Sequence, residues 1–364
     1  MDILDSRKQH FIEDLALWRH TLEGVDHAVL PPETSRPNPL VVEDLVIASV
    51  FSPGGIYAVD RATGQQRWTL PTNGLAGSPV TYAEGTLYGK SVHTLYAIDP
   101  LSGHVRWTFC PYGTDHEWIY SSPTVNEGRL FLGDRAGYLN CLDATSGEVI
   151  WRKQTSRSRR CQVNATAVVL GDLVIVATIV NSAVAYETAT GRLVWRQRLD
   201  GPSSSELLSW KDRVLVQTRK SLYLLNPKSG EILHHWNWRG KEVRAVAVGG
   251  DVLLVIIEQK DAPTSNHAKD TIQSKMEIKG FREDKVIFEG LTSRYVQGIR
   301  WSQETGLFYE CRSDDLYILE TETGRRIHDI RSKERLLYPG LPDVKDGVIY
   351  MLAEDKALYA IRHP

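Results

Sequence analysis

The sequence predicts an all-β fold, an eight-bladed β-propeller of four-stranded antiparallel blades, and two periodicities predict it. A twelve-residue sentence, YAVDRATGQQRW at 57–68, returns as YAIDPLSGHVRW at 96–107, NCLDATSGEVIW at 140–151 and VAYETATGRLVW at 184–195. Short polar turns recur alongside it, at Glu43-Asp44, Glu84-Gly85, Glu127-Gly128, Gly171-Asp172, Lys211-Asp212, Gly250-Asp251, Thr305-Gly306 and Asp346-Gly347. Eight turns count eight units. Repeats of this period bury both faces of each small sheet against their neighbours and cannot stand alone, so a closed ring is the natural solution.

Within the sentence, apolar residues alternate on both sides of the Thr-Gly or Ser-Gly pair, which reads as a hairpin. The Asp or Asn before the turn can accept from turn backbone, and Gly supplies the positive φ. Trp68, Trp107, Trp151 and Trp195 offer large flat faces, and the small residues Ala58, Ala97, Cys141 and Ala185 leave room for them, so the sentence reads as glue between units. Weaker copies follow, YLLNPKSGEILH at 223–234 and YILETETGRRIH at 317–328, with His234 and His328 in the tryptophan's place. Both histidines read as half-buried spacers, and Trp236 as a docking tryptophan displaced by two residues.

The last copy, YAIRHP, lacks an outer strand, and LALWRH at 15–20 supplies one with Trp18 in the docking role, so the N- and C-terminal segments are expected to close the last blade jointly. Residues 1–14 then read as a short arm or helix, since Leu4, Phe11 and Leu15 share a helical face, and residues 15–364 as the propeller. The turn spacing widens only between Asp251 and Gly306, which places an insertion in the sixth unit. The stretch 258–275, rich in charge and turn formers, is the expected surface loop.

Composition narrows the function classes. A formal net charge of −2 gives no global pull toward nucleic acid or an anionic membrane. The longest apolar runs, such as DLVIVATIV at 172–180, are strand length and far short of the roughly 20 residues of a membrane span. The opening MDILDSRKQHFIEDLALWRH interleaves acids and bases where a secretory signal carries an apolar core, so the expectation is a cytoplasmic protein. Cys110, Cys141, Cys161 and Cys311 show neither metal-ligand spacing nor a local disulfide framework.

The pattern A-x-D-x-x-[TS]-G-x-x-x-W, intact at 58–68 and 97–107 and nearly so at 141–151 and 185–195, resembles the tryptophan-docking repeat of the quinoprotein or PQQ-like propeller family. The resemblance covers almost the whole chain and is looser after about residue 200. It implies that Trp18, Trp68, Trp107, Trp151 and Trp195 are structural docking residues. The family's enzymes use pyrroloquinoline quinone with calcium, an aspartate base and often a disulfide between adjacent cysteines, a pair absent here. Its scaffolds bind partner proteins, and the expectation is a non-catalytic scaffold of this kind, with no catalytic residue, no metal and no cofactor. The alternative is a small-ligand, anion or quinone site in the central funnel.

In an up-down blade the interblade connectors and the loops between second and third strands share one face. On it, WRKQTSRSRRC at 151–161 gathers Arg152, Lys153, Arg157, Arg159 and Arg160, and other connectors add Arg198, Arg239, Lys241, Arg244, Arg294, Arg331 and Arg335. Arginine forks match carboxylate and phosphate in two-bond fashion, so an acidic or phosphorylated protein is the partner that this face would suit. The same arginines also fit connectors that are merely solvated. Nucleic acid is not the expected partner, because aromatic interleaving is sparse. TDHEWIYSSP at 114–123 adds Trp118 as a stacking platform at the mouth, beside Asp115, His116 and Glu117, whose side chains alternate in extended chain and do not converge on a metal.

Overall fold

The computed structural model describes residues 8–22, 38–50, 54–72, 79–111, 119–203, 205–260, 274–292, 296–312, 315–332, 340–353 and 357–364. They form the eight four-stranded antiparallel blades that the two periodicities predict. Blade 1 runs Leu40–Val42, Leu45–Val50, Gly55–Asp60 and Gln66–Pro71. Blades 2 to 7 begin at Thr81–Ala83, Thr124–Asn126, Val168–Leu170, Leu208–Trp210, Lys241–Gly249 and Val296–Ser302. Blade 8 takes Asp343–Lys345, Val348–Leu352 and Ala357–Arg362 from one end of the sequence and Ala16–Thr21 from the other, with Trp18 opposite Ala360. Among the described residues no helix is long and apolar enough to cross a membrane.

There is no single central core. Buried side chains instead form eight layers, each between neighbouring blades. Val46, Tyr57, Tyr350 and Ala360 pack between blades 8 and 1, for example, and Leu139, Val163, Val176 and Val184 between blades 3 and 4. Both faces of each blade are therefore apolar, and the middle strands of blades 1 and 4 are buried almost throughout rather than at alternate residues.

The twelve-residue sentence is the third strand, a turn and the fourth strand, and blade 2 shows how it works. Asp99 Oδ1 accepts from the backbone N–H groups of Leu101 (3.2 Å) and Ser102 (3.0 Å) and from Ser102 Oγ (2.9 Å), which shapes the turn. Arg106 Nη2 stands 2.7 Å from Asp99 Oδ2, and these bonds hold the carboxyl down at about 2. Gly103 follows at φ +72°, and a Cβ there would lie 2.7 Å from the Trp68 ring of blade 1. The Trp68 Nε1–H donates to Pro100 O at 2.9 Å. One indole thus lies flat on the next blade's turn glycine and caps a carbonyl of that turn. The arrangement repeats for Trp18 on Gly64, Trp107 on Gly147, Trp151 on Gly191 and Trp195 on Gly230, with Nε1–H donating to Arg61, Ala144, Thr188 and Pro227 carbonyls. Ala58, Ala97, Cys141 and Ala185 stand directly opposite Trp68, Trp107, Trp151 and Trp195, and burial pushes the Cys141 thiol up to about 12, leaving it a neutral filler.

The pattern changes where the glycine is missing. Blade 6 turns in two residues, Glu283 and Asp284, and blade 5 presents His234 at the docking position. Both His234 and His328 are half-buried. The buried Trp236 does reach blade 6, its ring centroid 5.6 Å from that of Phe281. Blade 7 keeps its glycine, Gly324, and Phe288 of blade 6 packs on it with Gly280 opposite.

Two features differ from the sequence reading. Residues 8–11, expected in an arm or short helix, form a strand, Lys8–Phe11, that adds parallel to the outer strand of blade 7, and only Ile12–Leu15 makes a helical turn. Lys8 and Gln9 are exposed and His10 and Phe11 half-buried, as suits a strand added at a sheet edge. The expected loop 258–275 is partly strand: Glu258, Gln259 and Lys260 pair with Met276, Lys275 and Ser274, so the insertion lengthens the middle hairpin of blade 6, and residues 261–273 lie outside the described residues.

Replacing Trp68 by Ala should cost about 3–5 kcal/mol in urea unfolding, the usual range for an aromatic truncation in a core. Gly103→Ala should cost on the order of 2 kcal/mol through the strained φ and the clash with the indole. Since the clash vanishes without the indole, the double variant should be at least about 0.5 kcal/mol more stable than additivity allows. Strict additivity would show that the two do not form one contact.

Candidate functional site

The connector between blades 3 and 4 is built by its serines. Along Thr155-Ser156-Arg157-Ser158-Arg159-Arg160-Cys161, Ser156 Oγ accepts from the Ser158 N–H (3.2 Å) and Ser158 Oγ from the Arg160 N–H (3.3 Å), while the Cys161 N–H donates to Ser158 O (3.0 Å). Hydroxyls that bond backbone two residues on fix a turn. With the serines turned to the backbone, Arg157, Arg159 and Arg160 are all exposed, and none has an ion-pair partner among the described residues.

The connector is pinned at both ends. The Thr155 N–H and Oγ1 both donate to Gly137 O (2.9 and 2.7 Å), the Val163 N–H to Asp134 O (3.0 Å), and Gln162 O accepts from the Ile179 N–H (3.2 Å). A Cβ on Gly137, at φ +82°, would lie 2.9 Å from Cys161. Loop 134–137 of blade 3 therefore packs directly on the connector, and it carries a further exposed arginine, Arg135. Sequence reasoning missed Arg135 because it belongs to a loop within a blade rather than to a connector.

Beneath this loop sits a fully buried carboxylate. Asp134 accepts from the Tyr138 N–H (2.9 Å) and Asn140 Nδ2 (3.0 Å), with Arg152 Nη2 at 3.7 Å. The Arg152 guanidinium lies 4.0 Å above the Tyr138 ring. Arg152 and Lys153 are strand residues of Val149–Gln154, opposite Asn140 and Leu139, so the connector proper begins at Thr155. Lys153 packs its stem over the Gly191 turn.

The other predicted cations divide. Lys241 and Arg244 belong to the long strand Lys241–Gly249 rather than to a connector, and both are bound: Lys241 Nζ to Glu277 at 2.5 Å, Arg244 Nε to Glu258 Oε2 at 2.5 Å. Arg331 is held by Asp329 and Asp315. Arg239 and Arg198 are exposed. Arg294, Arg335, Trp118, Asp115, His116 and Glu117 lie outside the described residues. The structure thus puts Arg157, Arg159 and Arg160 on one connector, with Arg135 on the loop that packs against it, and sets Lys241 and Arg244 apart in salt bridges of blade 6.

A second concave feature is the central channel, a cavity of about 1000 Å³ lined by the first strands of the blades. Its charged lining residues are Glu206, Arg244 and Arg300. Arg244 is committed to Glu258, and Arg300 Nη2 stands 3.3 Å from Asp343. Glu206 opens onto the lumen, but surrounding protein withdraws it from bulk water and raises its carboxyl pKa, against the opposing charge of Arg300. A quinone site of the family's enzymatic type needs a cluster of hard donors for its calcium. Glu206 is the one acid lining the channel among the described residues, and no group of three or more His, Cys, Asp or Glu among them could hold a metal ion. The donor set does not fit that group.

A family model described as outer membrane protein assembly factor BamB matches residues 52–159 and again 135–261, together more than half of the chain. The chain is 27% identical over 261 residues to outer membrane protein assembly factor BamB of Burkholderia pseudomallei (strain K96243), covering 67% of this chain and 64% of that protein. It is 24% identical over 226 residues to tetrathionate hydrolase of Acidithiobacillus ferrooxidans, covering 55% of this chain and 45% of the hydrolase. Among solved structures, quinohemoprotein alcohol dehydrogenase from Comamonas testosteroni superposes with a TM-score of 0.69 at 13% identity, over 98% of this chain and 78% of that one, a likeness of fold alone. The chain therefore spans less than two thirds of either curated relative.

Asp134→Ala should lower stability by about 3 kcal/mol, since it strands Asn140, the Tyr138 N–H and Arg152 at a site closed to water. Urea unfolding checks this. A loss below about 1 kcal/mol would mean that the carboxylate does not hold the loop under the connector.

Proposed function

Because the chain belongs to the PQQ-like propeller family whose model is described as outer membrane protein assembly factor BamB, we propose that it is a non-catalytic protein-interaction scaffold. It presents its connector face to an acidic or phosphorylated partner, and the connector between blades 3 and 4 makes the central contact. The observation that carries this reading is the set of three exposed arginines, Arg157, Arg159 and Arg160, without ion-pair partners among the described residues, on a segment pinned by backbone hydrogen bonds to blades 3 and 4. A pinned segment gives up little further conformational entropy on binding. Arginine forks recognise carboxylate and phosphate by paired hydrogen bonds, which makes those the groups to expect on the partner. The assembly-factor name of the Burkholderia relative supports a protein as the partner.

A second reading, a small ligand in the central channel, is favoured by the cavity itself and by the hydrolase named above. It is the weaker one, because the two arginines of the channel are engaged in ion pairs.

Titrating a panel of acidic and phosphorylated peptides should give binding that weakens with added salt, and Arg157→Glu, Arg159→Glu and Arg160→Glu together should abolish it. Because the three side chains are exposed, Tm should move by less than about 2 °C. Equal binding by the triple variant would refute the proposed face. If the scaffold reading holds and the channel takes no such ligand, pyrroloquinoline quinone with calcium should leave Tm unchanged. A concentration-dependent rise would mean a ligand of the folded state and would favour the second reading.

A further inference from the structure

The outer strand of a propeller blade has an open edge, and at blade 7 the chain covers it with its own strand. Lys8–Phe11 lies parallel on Arg326–Arg331, Lys8 opposite His328 and Phe11 opposite Arg331. The helical turn Ile12–Leu15 follows, with Ile12 buried in the layer between blades 7 and 8, and the chain then becomes the outer strand of blade 8. One segment therefore spans the seam at which the ring closes.

Three histidines from three elements meet at that seam. His10 Nε2 lies 3.2 Å from His328 Nδ1. The His328 and His363 rings stand edge to face with centroids 6.3 Å apart. His363 Nε2 is 2.9 Å from the Tyr309 hydroxyl, which in turn is 3.1 Å from Thr305 Oγ1. His328 holds the position that a docking tryptophan takes in blades 1 to 4, opposite Ile318. No turn joins Arg362 to Ala16 in blade 8, so no turn glycine is there to receive an indole.

We propose that His328, packed between His10 and His363, is a proton-operated latch on the ring seam: with its ring neutral the strand Lys8–Phe11 stays on blade 7, and its protonation releases that strand and bares the blade edge.

Two imidazole nitrogens 3.2 Å apart can share one proton, but a second proton sets two cations against each other. Lys8, on the same strand as His10, adds a third positive charge facing His328. The acids around the seam are engaged or remote. Asp329 and Asp315 are bound to Arg331, Glu13 accepts from Ser332 Oγ at 2.9 Å, and the Glu304 charge acts on the buried Tyr309 hydroxyl, which burial pushes up to about 12. Among the described residues no side-chain carboxylate is ion-paired with the three rings, and the one further acceptor against them is Pro364 O, 3.1 Å from His363 Nδ1. Burial, then the charges of His10, His363 and Lys8, hold the His328 pKa below its usual value. The released state therefore binds more protons than the latched one. The latch is full above about pH 6.5, the ordinary histidine value, and is lost as pH falls below it. Release stays local, because Trp18 still joins blade 8 to blade 1 through Gly64 and Arg61.

Amide hydrogen exchange, corrected for intrinsic rates, tests this in the full chain at pH 7.5 and pH 5.0. Protection across residues 8–11 should fall at least tenfold at pH 5.0 in the wild type, while the blade 1 strand Leu45–Val50 stays protected. His328→Phe, and independently His10→Gln, which leaves blade 7 intact, should keep their residues 8–11 protection at pH 5.0 within threefold of that at pH 7.5. Unchanged wild-type protection, or an equal loss in the His10→Gln variant, would overturn the latch.

Discussion

Everything in this molecule depends on one contact, an indole lying flat on a glycine. A blade of four short strands has two apolar faces and cannot be stable alone, so the ring exists only as far as neighbours hold each other. The tryptophan joins them twice over, by ring area against the glycine backbone and by an N–H donated to a carbonyl of the same turn. Glycine is required on both counts, since its φ is positive and the indole occupies the place of a Cβ. The small residue opposite the tryptophan and the aspartate that shapes the turn serve the same joint.

That joint also explains where the repeat decays. Blade 6 has a two-residue turn without glycine, and blade 8 has no turn linking its last two strands. In both cases the preceding blade carries histidine in place of tryptophan, His234 and His328. The docking residue degenerates where its receptor is absent, and blade 7, which retains Gly324, receives Phe288 instead. What looks like drift in the second half of the sequence is a set of paired changes across blade boundaries. A ring locked in this way gives its surface loops fixed positions, which is the property a scaffold needs from its fold.

Much of this was legible in the sequence. Blade number, strand number and the closure through Trp18 follow from the spacing of turns and tryptophans, because a repeat writes its own geometry many times over. The docking role of five tryptophans was carried by a resemblance, and the structure supplies its chemistry. The strand Lys8–Phe11 was not legible, since its pairing with blade 7 depends on an edge some 320 residues away. The extent of blade 6's hairpin was hidden because Glu258, Gln259 and Lys260 are polar and read as loop, although the ladder continues through them. At the candidate site, the arginines of 151–161 formed one cluster on paper, yet strand register divides them. Arg152 and Lys153 belong to blade 3's outer strand, and Arg157, Arg159 and Arg160 to the connector. The engagement of Lys241 and Arg244 by Glu277 and Glu258 is equally a matter of register.

Display of the connector arginines at fixed positions requires that the indole joints make one rigid ring rather than a chain of loosely associated blades. The direct measurement is hydrogen exchange of the indole Nε1–H protons of Trp18, Trp68, Trp107, Trp151 and Trp195 by NMR, in a lightly destabilising concentration of urea. If the joints act together, all five should exchange with one free energy, equal to that of global unfolding. If single indoles exchange through separate local openings at much lower free energy, the blades open independently, and the rigid platform on which the connector arginines are displayed does not exist.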